Sequence, residues 1–238
     1  MQRLSGHPAE DVGQLTPREW KQRFSHAPAK GEFVFSVMKS TKGSVAEWES
    51  FLSSFSPHST YHRVEWLQAL SEYSGHKKYF FVLKVDGKIV AGAPALFMRS
   101  ALFGSNLISI PFVNYGGVLS YSKKLTLGLL DGIRKWAKDK AFDHVEFRTT
   151  MPGLNLPVKS RKCSMILKLP SSDVVLESEL SAKLRAQCKK ASAYNPKITF
   201  GGLELLKQFY YVFSRNIRGL GTPVYGRSLF KKIMQEKN

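Results

Sequence analysis

Two cysteines in 238 residues, Cys163 and Cys188, are too few for a disulfide framework or a four-thiolate metal site, and too far apart for a CxxC pair. Reduced, unligated thiols are expected. Cys188 stands beside Lys189 and Lys190, a setting that favours thiolate, but with no histidine near it in sequence it reads as a packing residue. No metal is expected from the histidines either: His62 falls at a helix start and His76 in a loop, neither at metal-ligand spacing. Long apolar runs are also missing. The longest, Ile89 to Met98, is about half of the roughly 20 residues that a membrane-spanning helix needs, and it contains Gly92 and Pro94. Residues 1–30 mix charge, Gly, Pro and Gln without an apolar stretch, which reads as a flexible leader and not as a secretory signal. A cytoplasmic location is the default expectation.

Acidic residues are the other shortage. The chain has 18 Asp and Glu against 36 Lys and Arg, a formal charge of +18, and the imbalance is concentrated late: residues 183–238 hold 12 basic and two acidic residues. Such a segment attracts the phosphates of RNA, of a nucleotide or of an anionic membrane face, unless an acidic region elsewhere balances it. What is abundant is apolar content, at 43%, enough for a buried core in a chain of one large domain or one domain and part of another.

The order of elements follows from periodicity. Residues 32–39 are rich in Phe and Val and read as a strand. Trp48, Phe51, Leu52 and Phe55 recur at helical spacing, as do Arg63, Trp66, Leu67 and Leu70 behind a cap at Ser59 or Thr60. Residues 79–85 and 88–98 flank Asp86-Gly87, a pair that supplies the positive φ angles of a tight hairpin. Residues 106–111 form a strand ended by Pro111, and 123–141 a helix with Leu127, Leu130, Ile133 or Arg134, and Ala137 near one face. In 144–148, Val145 and Phe147 point one way and His144, Glu146 and Arg148 the other. A strand over 162–169 precedes a helix from about Asp173, in which Leu176, Leu180, Leu184 and Cys188 keep an i, i+4 spacing. A short strand near 197–200 and two helices follow. Phe209, Phe213 and Ile217 mark the first, which Gly219 closes and Pro223 keeps from continuing. Pro170-Ser171-Ser172-Asp173 is the internal punctuation that divides the chain into 31–170 and 171–238. The second part has too few strands for its own sheet and must dock on the first or on a partner.

Two groups of residues invite a binding role from their chemistry. Asn114-Tyr115-Gly116-Gly117 follows a strand end, where paired glycines let backbone approach a ligand and Tyr115 can donate a hydrogen bond; the plainer reading is a turn into the next strand. Lys183, Arg185, Lys189 and Lys190 share one helix, either as phosphate contacts or as a solvated face.

Several words of sequence, in order from Phe51 to the end, resemble the FemAB family: Tyr61-His-Arg-Val-Glu-Trp66, Asp86-Gly-Lys-Ile-Val-Ala-Gly92, Arg99-Ser-Ala-Leu-Phe-Gly104, Pro111-Phe-Val-Asn-Tyr-Gly-Gly117, Leu180-Ser-Ala-Lys-Leu-Arg185 and Gly219-Leu-Gly-Thr-Pro-Val224. The branch they are most similar to is the FemAB-like proteins of PEP-CTERM and exosortase systems. The resemblance implies an α/β fold with a GNAT-like mixed sheet flanked by helices, followed by the initial helices of a second such domain truncated within 171–238. It implies a transfer of an acyl or aminoacyl group, from acyl-CoA or aminoacyl-tRNA, to an amine of a cell-envelope or exopolysaccharide precursor. A truncated chain of that kind is either a working transferase or an inactive one. The alternative from a different class is a non-catalytic basic module that binds RNA, an anionic surface or a protein partner.

Under the transferase reading Glu146 is the candidate base for the acceptor amine, the plainer reading of His144, Glu146 and Arg148 being an ion-paired or solvated outer face, and Lys183 and Arg185 are the stronger candidates for donor phosphate. Asn216 to Gly221 departs from the Gln/Arg-x-x-Gly-x-Gly word that cradles the pyrophosphate of acyl-CoA, since Asn holds the first position and the glycines end a helix. That segment therefore reads as a helix stop and inter-domain turn, with Arg218 and Thr222 as candidate ligand contacts.

Overall fold

The computed structural model describes residues 33–55, 58–149, 151, 153–159 and 167–235. Its centre is a six-stranded mixed sheet of β1 (Val34–Met38), β2 (Lys77–Val85), β3 (Lys88–Ser100), β4 (Gly104–Ile108), β5 (Leu119–Ser120) and β6 (His144–Glu146), in the order β1-β2-β3-β4-β6 with β5 on β3. The β2–β3 hairpin turns at Asp86 and Gly87, with φ of 50° and 74°, the double positive φ of a tight turn that follows the twist of its strands. β4 and β6 are the parallel pair, Ile108 opposite Glu146, and α3 (Lys123–Asp139) lies in the crossover between them.

Both faces of the sheet are covered, and the alternation of β2 records it. Phe80 and Val82 point to one face, where they pack with Trp48, Phe51 and Leu52 of α1 (Lys42–Ser54) and Leu67 and Leu70 of α2 (Val64–Ser74). Phe81 and Leu83 point to the other, against Leu125, Leu129 and Ile133 of α3. The buried face of α3 includes Leu125, Thr126 and Leu129, whereas Leu127 is exposed. Ile133 and Ala137 are buried as expected and Leu130 packs on the same core; Leu127 alone is misplaced, its turn of the face being filled by Thr126, whose hydroxyl is satisfied by Ser120. α2 begins at Val64, after a 3-10 turn over Thr60–His62 that takes the place of the expected cap.

The later chain differs more from expectation. One helix from Asp173 is instead two, α4 (Asp173–Glu179) and α5 (Ala182–Ser192). The cause is local: Ser181 is extended and accepts a hydrogen bond from Leu184 N, so it starts a new helix in the middle of the leucine spacing. Cys188 is exposed and not packed. Residues 197–200 form no strand. The strand expected over 162–169, with Cys163, falls largely outside the described residues, and 167–169 are irregular. α6 (Leu206–Gly219) ends as expected, but the left-handed residue is Gly221, with φ 68°, and not Gly219. α7 (Arg227–Gln235) packs on α2: Leu229 is buried in the same core as Leu67 and Leu70, Lys232 pairs with Glu72, and Gly226 N donates to Tyr73 Oη. No helix among the described residues is long and apolar enough to cross a membrane.

Candidate functional site

The feature that sets up a site is an interruption of the sheet. Along one edge of β3, Leu96 pairs with Ile108 of β4 and Gly92 pairs with Leu119 of β5. Residues 93–95 separate those pairings on β3, while residues 109–118 separate them on the other side. A ten-residue excursion thus leaves the sheet where three residues would have continued it. Pro94, which has no N–H to offer a second neighbour, stands in the stretch without one. The excursion is strained: Ile110 and Phe112 have φ of 33° and 70°, conformations that a β-branched or bulky side chain adopts only when its surroundings force it.

This loop rises at the carboxyl ends of the parallel pair β4 and β6, the position where open α/β sheets present ligand crevices. Past Ile108 the two strands stay joined through Ser109. Its N–H donates to Glu146 O at 2.9 Å, and its hydroxyl, not its backbone, accepts from Arg148 N at 2.8 Å. Gly116 and Gly117 then close down on that junction. A Cβ at Gly117 would lie 2.6 Å from the backbone of Arg148 and Thr149, and Gly116 has φ 130°. The aromatic-Gly-Gly segment is therefore more than a turn into β5, because it is packed backbone to backbone on the end of β6. Asn114 is exposed at its tip and Tyr115 half-buried beside it.

Glu146 is joined to this loop. Its Oε1 accepts from Arg148 Nε at 3.2 Å, and the same guanidinium donates through Nη1 to Val113 O, next to Asn114. Its Oε2 accepts from Lys159 Nζ at 2.7 Å, with His144 Nε2 at 4.0 Å. The Lys159 ammonium is the first cause of a Glu146 carboxyl below the ordinary carboxylate range; burial opposes it, and the Arg148 guanidinium adds to the lowering. The carboxylate is ionised and points one oxygen at an exposed ammonium.

Beneath the loop lies a histidine that sequence reasoning treated as a mere helix start. His62 is buried, and its Nε2 lies 3.1 Å from Gly117 O. A carbonyl only accepts, so the proton is on Nε2 and Nδ1 accepts from Ser59. Trp48 Nε1 in turn donates to His62 O at 2.8 Å. Burial lowers the His62 pKa to about 4. The signal for His62 was its place in Tyr61 to Trp66; for Arg148 and Lys159, whose roles depend on neighbours distant in sequence, there was none.

The other candidates are apart from this junction. Arg185 is turned on the end of its own neighbouring helix, donating to Leu180 O and Glu177 O, where a cation meets the unpaired carbonyls of α4. Lys183 is exposed on α5. Arg218 and Thr222 are exposed at the end of α6, Thr222 N bonding to Ile217 O. The segment after Thr222 does reach the loop, through Tyr225 on Phe112 with ring centroids 5.4 Å apart.

Comparison with known proteins gives the fold a counterpart. No protein-family model and no curated protein matches the sequence. The chain is similar to the crystal structure of FemX, with TM-score 0.50 and 15% identity over 84% of this chain and 54% of FemX. It spans about half the length of that structure. An aminoglycoside N-acetyltransferase, AAC(6')-Iy in complex with CoA, aligns with TM-score 0.36 and 14% identity over 60% of this chain and 99% of that one. The mixed sheet flanked by helices is a fold that this chain shares with FemX.

Proposed function

We propose that this chain is a FemAB-like N-acyltransferase that moves an acyl or aminoacyl group from acyl-CoA or aminoacyl-tRNA to an amine of a cell-envelope or exopolysaccharide precursor. The observation that carries the reading is the Glu146–Lys159 contact at the carboxyl end of β6, beside the Asn114–Gly117 loop. The acceptor class, and the PEP-CTERM branch within the family, rest on the sequence words alone.

An acceptor amine enters water-exposed sites as an ammonium, and Lys159 Nζ marks where such a group sits against Glu146 Oε2. In the reaction the acceptor takes the place of Lys159, which is 71% exposed and free to swing out. Glu146 receives the proton of the ammonium, the freed lone pair attacks the acyl carbonyl carbon, and the tetrahedral intermediate expels the thiol of CoA or the ribose hydroxyl of tRNA. The nitrogen's second proton passes to that leaving group as the amide forms, and Glu146 then releases the first to solvent. The arriving ammonium replaces the Lys159 cation against Glu146, so the carboxylate stays ionised, and ready to accept, until the proton passes to it. Arg148 orients Glu146 and the loop together, and Tyr115, Gly116 and Gly117 line the acyl side. Lys183, Arg185, Arg218 and Thr222 are the proposed outer contacts to donor phosphate.

The test is incubation of the full chain with labelled acyl-CoA or charged tRNA and a panel of amine-bearing envelope precursors. Amide product is expected, reduced about 10²–10⁴-fold by Glu146→Gln. Product formed at the same rate by that variant, or no product from any donor, counts against the reading.

A further inference from the structure

Helices α4 and α5, of 7 and 11 residues, bury no side chain. Both are shorter than the roughly 12–15 residues at which an isolated helix becomes even marginal in water; α4 carries only acids, Asp173, Glu177 and Glu179, whereas α5 is basic throughout, and its charge points to an anionic surface that covers it. From Leu180 to Gln235 there are eleven Lys and Arg and one acid, Glu204, and Glu204 is engaged by Gly202 N at 2.7 Å. Lys183, Lys189, Lys190 and Lys197 make no ion pair among the described residues. The same stretch exposes large apolar groups: Tyr194 at 77%, Ile198 at 75% and Phe200 at 94%, on either side of Lys197.

We infer that α5 and the segment 193–200 form a docking surface for an anionic lipid bilayer. The lysines reach the headgroup phosphates while Ile198 and Phe200 enter the boundary between headgroups and acyl chains, the division of labour of an interfacial segment. RNA would meet the same charge and could stack on Tyr194 and Phe200, but it offers nothing to Ile198 or to the exposed Leu184 of α5. Diffuse charge of one sign, without interspersed acids, matches a bilayer better than the mixed rim of a protein partner. The inference stands apart from the transferase reading, since binding is measured without donor or acceptor.

The experiment is co-sedimentation of the full chain with vesicles of phosphatidylcholine alone and of phosphatidylcholine with phosphatidylglycerol. Binding to the anionic vesicles only is expected. Lys183→Ala with Lys190→Ala weakens it about thirtyfold, roughly fivefold per lysine. Ile198→Ser with Phe200→Ser weakens it at least tenfold at unchanged salt, and because both side chains are exposed the variant keeps the wild-type circular dichroism spectrum. No binding to either vesicle overturns the inference. So does anionic binding that the Ser variant leaves intact, which means charge alone, and so does displacement of the protein from vesicles by RNA that the Ser variant binds as tightly as wild type.

Discussion

Buried against Gly117 O, the His62 imidazole is neutral in the folded chain with a pKa of about 4, against an ordinary 6.5. Between those values the unfolded chain binds a proton that the native one does not. Its contribution to stability is therefore complete above pH 6.5 and lost as pH falls toward 4, a change of about 3 kcal/mol. Urea midpoints between pH 7 and pH 4 should fall for wild type and be flatter for His62→Gln, whose amide can still donate to Gly117 O; parallel slopes would contradict the assignment. Gly117 gives a second expectation. Gly117→Ala drives a Cβ into the backbone of Arg148 and Thr149 at 2.6 Å and should cost about 2 kcal/mol or more in thermal unfolding. Gly128→Ala, on α3 with its nearest neighbour at 3.5 Å, should be neutral or stabilising by up to about 1 kcal/mol. Equal effects at the two positions would mean that the loop is not seated on β6. In sequence the Gly-Gly word read as a turn or as an approach to a ligand; that it seats on the chain's own backbone was not legible, because Arg148 comes from the segment after β6, distant in sequence.

Elements whose two sides are both set by local pattern were the legible ones. The hairpin follows from Asp86-Gly87, and the outward face of β6 from its alternation. The leucine spacing over 176–188 misled, since a periodic stripe marks a continuous helix only where something covers it, and here Ser181 restarts the helix with the stripe exposed. α7 is the opposite case: nothing in 227–235 announces that it belongs with α2, yet Leu229 is 3% exposed among Leu67 and Leu70. Leu229→Ala should destabilise the chain by about 2–5 kcal/mol, with the loss appearing in the single main transition. A separate early transition, with the main one unmoved, would show α7 to be independent of that core. α6 depends on α7 through Phe209 and Phe213 against Phe230, so the Leu229→Ala variant should also lose part of the helical signal from 206–219.

Across the whole molecule, chemistry and charge are divided. The parallel pair β4 and β6, the 109–118 loop and His62 meet at one junction, where ionised Glu146 pairs with Lys159 and Arg148, whereas most of the basic surplus sits on α5, α6 and α7, and α5 buries no side chain. That division was only half visible in sequence. The charge surplus is a matter of counting, but the junction joins residues 62, 117, 146 and 159, which only the sheet order brings together. The fold shared with FemX carries the sheet order but not the chemistry of this junction. The most direct measurement is kcat/KM for acyl transfer, with acceptor amine varied, in wild type, Glu146→Gln and Lys159→Ala. If Glu146 takes the proton and Lys159 only holds its place, Glu146→Gln loses about a hundredfold or more, while Lys159→Ala keeps kcat and lowers KM for the acceptor. Equal losses in the two variants, or no loss in Glu146→Gln, would contradict a catalytic carboxylate at the end of β6.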